Sequence, residues 1–548
     1  PTRVSKHPVS ASPNPNYWEP SITCRELKTE EVESIAEAFG DAAEIIADIG
    51  FDGIELHGHE GYLLDQFTTA IWNRRMDKYG GDLKGRMTFP IEILGHIKKR
   101  VGKQFPVQYR FGIKHYIKGL NQGALAMEDF IEAGRDVEEG IEMAKMLEKA
   151  GFDALHVDAG CYDSWYWAHP PSYQKHGCMI DMAAMAKKNV SIPVTAVGRL
   201  EIPELAEKVI STGQADMVAL GRGLLADAYW PQKVRTGQID RIRPCVGCHG
   251  CFSRFEKGRP LSCVVNPICG RERIYPILPA KTPKKVLIIG GGIAGMEVAS
   301  VAAQRGHIVT LCEKSEMLGG HILSASIPGF KKDLRRLISY YETKLETLGV
   351  KILLGREATI DWVESQNPDV LVVAVGSRVL VPDIPGVNNN NVCTCVDVLL
   401  GKHQVGKTPV IVGGGLVGCE VALWLAQEGT DVTLIEMLPE LMLKGPTVPH
   451  MNRTMLIDLL SYNRVNVLCN MKMEAINDNF ITIVNEDGEE KFITTDNVIL
   501  AVGMNPLKGL YHDALKCNIS EVYSLGDCKE ARNIAAAVWE AFEVGRMV

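Results

Sequence analysis

The chain has 548 residues, 46% hydrophobic and 23% charged, a globular composition too long for one core. A formal net charge of -8 with no basic tract argues against nucleic acid as a partner, and no run of eighteen apolar residues exists to span a membrane. Fifteen cysteines, mostly inside apolar patterns such as those around Cys312 and Cys419, suit packed thiols in a reducing cytoplasm.

Residues 1–28, rich in Pro, Ser and Asn, read as a loop over a surface. Thr29, followed by Glu30 and Glu31, is the expected N-cap of an amphipathic helix with apolar residues at 35, 38, 39, 42, 45, 46 and 49, ended by Gly50. Short apolar strands are expected at 51–58, 106–112, 153–160, 192–199 and 215–222, separated by helices. Five βα units in a row without a dinucleotide fingerprint predict an α/β fold of the (β/α)8 TIM-barrel type. A barrel needs eight strands, so about three opening units are expected to be missing from this sequence.

Chemistry in such barrels sits where strands end. There the sequence offers His57, Glu60 and Tyr62, then Arg110, then Asp158, Cys161, Tyr162, Asp163, Trp165, Tyr166, Trp167 and His169. The last two strands end in Gly198-Arg199 and Gly221-Arg222. Glycine N–H groups with an arginine clamp on these loops suit a phosphate, which suggests FMN over the barrel mouth.

Between 243 and 271, Cys245, Cys248, Cys251 and Cys263 follow the pattern C-x2-C-x2-C-x11-C. Three thiolates from one loop and a fourth beyond a short excursion suit a 4Fe-4S cluster. The alternative is a four-cysteine zinc site, although zinc ribbons usually present two separated C-x2-C knuckles.

Beyond 284 the chain carries G-x-G-x-x-G between strand and helix twice, at Gly290, Gly292 and Gly295 and again at Gly413, Gly415 and Gly418. Glu313 stands 23 residues after Gly290, and Glu436 stands 23 after Gly413, each placed to accept from a ribose hydroxyl. Two such units imply one FAD and one nicotinamide cofactor in the nested order of the disulfide reductases. Glu436 predicts NADH over NADPH, because a carboxylate repels a 2′-phosphate. The segment from Tyr523 through Gly526 to Asp527 resembles the one whose Asp contacts the FAD ribityl chain. The expected domains are a barrel at 1–240, a cluster loop and linker at 241–283, FAD-binding parts at 284–404 and 499–548, and an NAD-binding insert at 405–498.

The stretch HGHEGYLLDQFTTAIWNRRMDKYGGDLKGR resembles the motif of the old yellow enzyme family at His57, Glu60, Gly61, Tyr62, Leu63, Gln66, Phe67, Asn73, Arg75, Asp77, Tyr79, Gly80, Gly81 and Arg86. With the cysteine loop, the likeness narrows to the long iron–sulfur flavoprotein branch of 2-enoate reductases, bile-acid 3-oxo-4-ene oxidoreductases and 2,4-dienoyl-CoA reductases, with trimethylamine dehydrogenase related. The resemblance implies Tyr62 as proton donor and Arg110 as the basic residue near flavin N1. It leaves Tyr162, Asp163 and His169 open as a second proton relay, and implies a homo-oligomer.

The cofactor order suggests NADH-driven reduction of an activated carbon–carbon double bond, with electrons running from FAD through the cluster to FMN. His57 would then donate to the substrate carbonyl oxygen. A small unsaturated acid, enone or CoA thioester is the expected partner. Two rival readings are oxidative amine demethylation, with Trp165, Tyr166 and Trp167 as a cationic cage, and a flavoprotein that only passes electrons to another protein.

Overall fold

Short parallel strands, whose successive side chains turn to opposite faces of one sheet, set the first half of the molecule. The structure, a computed structural model, describes residues 7–548; the first six residues of the expected surface loop lie outside the described residues. Two compact units are present, one holding residues up to Pro170 with Gln174–Gly221, the other Pro171–Tyr173 with Arg222–Val548. Among the described residues, no helix is long and apolar enough to cross a membrane. All fifteen cysteines are free thiols.

In the first unit all five expected strands form: β1 (Ile54–Gly58), β2 (Val107–Gly112), β3 (Ala154–Asp158), β4 (Val194–Ala196) and β5 (Met217–Val218). They pair in parallel in chain order, giving five of the eight strands of a closed barrel. Leu56, Val107, Tyr109, Phe111, Leu155 and Val157 are buried on one face against the helices. A period of two turns their neighbours to the other face, where the register sets His57, Arg110, His156 and Thr195 side by side.

Helix α1 (Thr29–Asp48) starts one residue earlier than expected, with Lys28 as N-cap and its backbone N–H donated to Glu31. Its buried stripe is Val32, Ala36, Gly40 and Ala43, whereas the expected face leaves Ile45 and Ile49 exposed. The reason is close packing on α2 (Thr88–Val101): a Cβ at Gly40 would stand 3.1 Å from the His96 carbonyl oxygen, so the small residues set the contact.

Arg135, fully buried, donates to Asp65, Thr68, Thr69 and the Gly112 carbonyl, fastening the Leu63–Thr68 helix to the end of β2. Removing one partner of a buried pair strands the other charge. Arg135→Met is therefore expected to cost about 3–5 kcal/mol in urea unfolding of this unit. A loss under about 1 kcal/mol would mean that Asp65 regains water in the variant.

The second unit contains two parallel five-stranded layers. The first comprises β6 (Lys285–Ile289), β7 (Ile308–Cys312), β8 (Lys351–Leu353), β9 (Val370–Val373) and β18 (Glu521–Ser524), in the order β8-β7-β6-β9-β18. The other has β10 (Val392–Thr394), β11 (Val410–Val412), β12 (Thr433–Ile435), β13 (Asn466–Leu468) and β17 (Val498–Leu500), in the order β10-β17-β11-β12-β13. An antiparallel sheet of β14 (Lys472–Ile476), β15 (Phe480–Val484) and β16 (Glu490–Thr494) joins it. The nesting agrees with expectation, but the insert's sheet reaches from 392 to 500 rather than 405 to 498, because β10 pairs with β17. Likewise the compact units part at Gly221, ahead of the expected 240.

Candidate active site and cofactor sites

After β1, Glu60 and Gly61 both take left-handed backbone conformations, with φ of 64° and 78°. This turn reverses the chain and sets Tyr62 at the start of the short helix Leu63–Thr68. His57 and Tyr62 face each other with ring centroids 5.4 Å apart. The Tyr162 hydroxyl donates to the Tyr62 hydroxyl at 2.7 Å. Asp163 instead accepts from the Asn121 backbone N–H at 2.5 Å, and His169 Nε2 lies 3.3 Å from Glu60 Oε2.

Charge and burial give these groups distinct states. Burial raises the Tyr62 phenol, the hydrogen bond from Tyr162 opposes it, and Glu60 adds to the rise. Burial lowers His57, so its imidazole is neutral at pH 7. Burial alone would raise Glu60, but attraction to His169 and their hydrogen bond bring it down to about 2. Arg110 Nε donates to Asp158 Oδ2 at 3.0 Å, holding the guanidinium on the polar face of the sheet beside His57. Fully buried His59 sits 3.3 Å from the same carboxylate, and burial brings it down to about 4.

A cavity of about 250 Å³ opens beside Tyr62 and Tyr162, walled by Tyr17, Trp18, Tyr62, Trp72 and Tyr162 with Asn14, Gln66 and Asp163 among its polar lining. Of the Trp-Tyr-Trp run, only Trp165 backs this wall, packing on Trp18 at 4.9 Å and Tyr162 at 5.0 Å. Trp167 instead stacks on Tyr116 at 3.7 Å and donates to the Ala124 carbonyl, and Tyr166 is buried. The three rings therefore do not make one cage. Tyr17 and Trp18 lie in the segment expected to run as a surface loop; the two adjacent aromatics inside NPNYWEP are the sequence signal of this wall.

The strand-end phosphate residues part company. Arg199 is buried with a left-handed φ of 52°, donates to the Gln174 carbonyl, and places a second nitrogen 3.2 Å from His176 Nε2. A Cβ at Gly198 would meet Met179 at 3.1 Å, whereas Gly221 faces open space. Arg222 turns to the cysteines, its guanidinium 2.7 Å from His249 Nε2. For FMN, the open backbone at Gly221 and the guanidinium of Arg110 fit the group; Arg199 is spoken for inside the protein.

Cys245, Cys248, Cys251 and Cys263 line one small cavity with Arg222 and His249. Two left-handed residues, Gly247 (φ 63°) and His249 (φ 54°), coil the loop so that its thiols converge at the start of α6 (Gly250–Glu256). A Cβ at Gly247 would stand 2.8 Å from the Ser172 backbone nitrogen, so the position admits only glycine. Four converging thiols in an apolar cavity fit a cluster.

The two glycine fingerprints match in detail. A Cβ at Gly295 would meet the Gly290 carbonyl oxygen at 1.9 Å, and one at Gly418 the Gly413 carbonyl oxygen at 1.9 Å, so both helices pack hard on their strands. Gly292 and Gly415, the N-caps of α7 (Ile293–Gln304) and α9 (Leu416–Gln427), face open space that a pyrophosphate fits. Each acid is anchored at its own loop: Glu313 accepts from Gly291 N at 2.6 Å and Ser315 N at 2.8 Å, Glu436 from Gly414 N at 2.7 Å and Leu438 N at 2.9 Å. Each carboxylate oxygen keeps a lone pair for a ribose hydroxyl. Gly526 and Asp527 open a helical turn after β18, with Asp527 Oδ2 3.4 Å from the Ser377 hydroxyl.

Comparison with known proteins agrees with both halves. Residues 4–241 match the model described as the NADH:flavin oxidoreductase / NADH oxidase family, and 284–541 match pyridine nucleotide-disulphide oxidoreductase. Cinnamate reductase of Clostridium sporogenes is 44% identical, covering 100% of this chain and 82% of its own. NADH oxidase of Thermoanaerobacter brockii is 38% identical over 98% of this chain and 81% of its own. The solved 2-naphthoyl-CoA reductase in complex with 2-naphthoyl-CoA superposes with a TM-score of 0.91 at 32% identity, covering 99% of this chain and 80% of that one.

Proposed function

Since this chain belongs to the NADH:flavin oxidoreductase / NADH oxidase family, in a form joined to a pyridine nucleotide-disulphide oxidoreductase half, we propose that Tyr62 and His57 carry an NADH-driven reduction of an activated carbon–carbon double bond. The observation that supports the reading is the pair itself. A neutral imidazole faces a hydrogen-bonded phenol, and the phenol lines an aromatic-walled cavity.

The Glu313 and Glu436 loops would hold FAD and NADH for hydride transfer, the four cysteines a 4Fe-4S cluster for one-electron transfer, and the Arg110 side of the barrel FMN for hydride delivery to substrate. The chain's own residues do the rest. His57 donates N–H to the carbonyl oxygen of the substrate, where negative charge builds as hydride arrives. Tyr62 gives its proton to the neighbouring carbon, and Tyr162 both aims the phenol and steadies the phenolate left behind. Arg110 sets positive charge on the polar face of the sheet, where it would favour a negatively charged reduced flavin, and Asp158 fixes its direction. The cavity walls favour a flat, conjugated substrate. An aryl 2-enoate is the first choice, on the likeness to cinnamate reductase, with aromatic CoA thioesters next. NADH use and fifteen free thiols favour the cytoplasm, and a homo-oligomer is the expected assembly.

The test is anaerobic NADH oxidation against a panel of 2-enoates, enones and CoA thioesters, each paired with an amine. Turnover with an alkene and none with amines supports the reading; amine-dependent dye reduction without NADH would overturn it.

Cofactor choice follows from Glu436. Glu436→Gln removes the charge that repels a 2′-phosphate while keeping an acceptor oxygen for one of the two loop N–H groups. The NADH-to-NADPH ratio of kcat/KM is expected to fall about tenfold, equivalent to about 1.4 kcal/mol. An unchanged ratio would place the 2′-position away from Glu436.

A further inference from the structure

The cysteine loop is held from an unexpected side. Asn452 lies in the first turn of α10 (His450–Tyr462), in the NAD-binding insert, and is buried. Its amide reaches into the loop at two points: Nδ2 donates to the Gly247 carbonyl at 3.2 Å, and Oδ1 lies 2.7 Å from His249 Nδ1. On the far side of the same ring, Nε2 meets the Arg222 guanidinium at 2.7 Å. A guanidinium can only donate, so Nε2 must offer its lone pair, and the ring proton therefore sits on Nδ1 and is donated to Asn452. That in turn fixes the amide with its NH2 toward Gly247. Every group in the row has one role, and the row runs from an α10 side chain to a cation lining the cysteine cavity.

The other end of the row leads to the nucleotide. Helix α10 packs on α9, whose N-terminus at Gly415 is the site fitted to the NAD pyrophosphate. Helix α9 is itself tied down through Glu420, which accepts from the Tyr173 hydroxyl at 2.7 Å and pairs with Lys331 at 2.5 Å.

We propose that Asn452 and His249 are positioning residues that couple nucleotide occupancy of the NAD-binding insert to the oxidation state of the cluster, by tying Arg222 beside the cysteines to helix α10. When one electron enters, the cluster and its four thiolates become one charge more negative and pull on the Arg222 guanidinium. The lone pair of His249 competes for the same N–H groups. The shift passes through His249 to Asn452 and strains α10 against α9, loosening the spent nucleotide once its electrons have moved on. Linkage makes the effect reciprocal: nucleotide bound at α9 changes the cluster's readiness to accept an electron. The inference rests on the cluster and nicotinamide sites and not on alkene reduction, so it stands or falls separately from the substrate reading.

The test uses full-length holoprotein and ADP-ribose, which occupies the pyrophosphate and ribose sites but carries no redox group. Its dissociation constant is measured under anaerobic conditions with the protein oxidised and with it dithionite-reduced, and the cluster midpoint potential is read by EPR with and without ADP-ribose. The wild-type protein is expected to bind ADP-ribose about fivefold more weakly when reduced, with a matching shift in potential to lower values. In Asn452→Leu, with iron content and EPR intensity unchanged, both differences should vanish. Equal affinity in the two states of the wild-type protein overturns the proposal without any variant. A difference that persists in Asn452→Leu also overturns it, since it would then arise at the FAD. Should Asn452→Leu lose iron, Asn452→Ser, which removes the amide but leaves a small polar side chain and room for water, replaces it under the same reading.

Discussion

Cys248→Ala is expected to split the reaction into two halves that no longer communicate. NADH should still bleach the FAD absorbance at close to the wild-type rate, because the glycine fingerprints and their acids lie outside the cysteine loop. NADH-driven alkene reduction should fall by at least about 10³-fold, equivalent to about 4 kcal/mol of barrier. Four thiols line the cavity, and the remaining lining offers apolar side chains, Arg222 and His249, none of which replaces a thiolate between Cys245 and Cys251. His249 cannot stand in, because its two ring nitrogens are committed to Arg222 and Asn452. Iron and sulfide analysis accompanies the kinetics. If alkene reduction survives while iron is lost, electrons reach the barrel without the cluster, and the assigned order of cofactors fails. If the wild-type protein instead carries one zinc and no sulfide, the site is structural and the same variant should act through stability alone.

What the sequence made legible, and what it hid, follows from how local each feature is. The cysteine loop and both glycine fingerprints are short-range chemistry: spacing brings the groups together, and their convergence followed. Strand positions were equally readable, since apolar runs of four to six residues carry their own period. Side-chain direction at a strand end is not local, and there expectation and structure diverged. Gly198-Arg199 and Gly221-Arg222 look alike in one dimension, yet Arg199 is drawn inward by Gln174 and His176, and Arg222 by His249. The insert's outer limit was hidden for a related reason. Residues 392–394 read as the end of the first FAD-binding part until their partner strand, more than a hundred residues later, is in place. Helix α1 shows the remaining case: the larger apolar residues marked one face, but close approach to α2 selected the smaller ones.

Tyr62→Phe is expected to lower kcat for alkene reduction by about 10²–10⁴-fold, the range for loss of a positioned general acid, with NADH-dependent FAD reduction untouched. The argument turns on the pair and not on the phenol alone. Because the Tyr162 hydroxyl donates to Tyr62, it stabilises the phenolate that remains after proton transfer, and so makes Tyr62 the stronger acid. Tyr162→Phe should thus cost only about fivefold, the worth of one hydrogen bond near 1 kcal/mol. Its pH profile should move in a defined sense. Tyr62 works protonated, and its pKa lies above the ordinary phenol value of about 10, so activity holds through neutral pH and falls only as pH rises through the raised value. Taking Tyr162 away raises that value further and carries the alkaline limb upward. A loss of about 10²–10⁴-fold in Tyr162→Phe, with only about fivefold in Tyr62→Phe, would mean instead that Tyr162 is itself the acid, with Tyr62 holding it in place. The double variant distinguishes either order from independent roles: residues that act as one unit lose no more together than the worse of the two alone, whereas independent groups multiply.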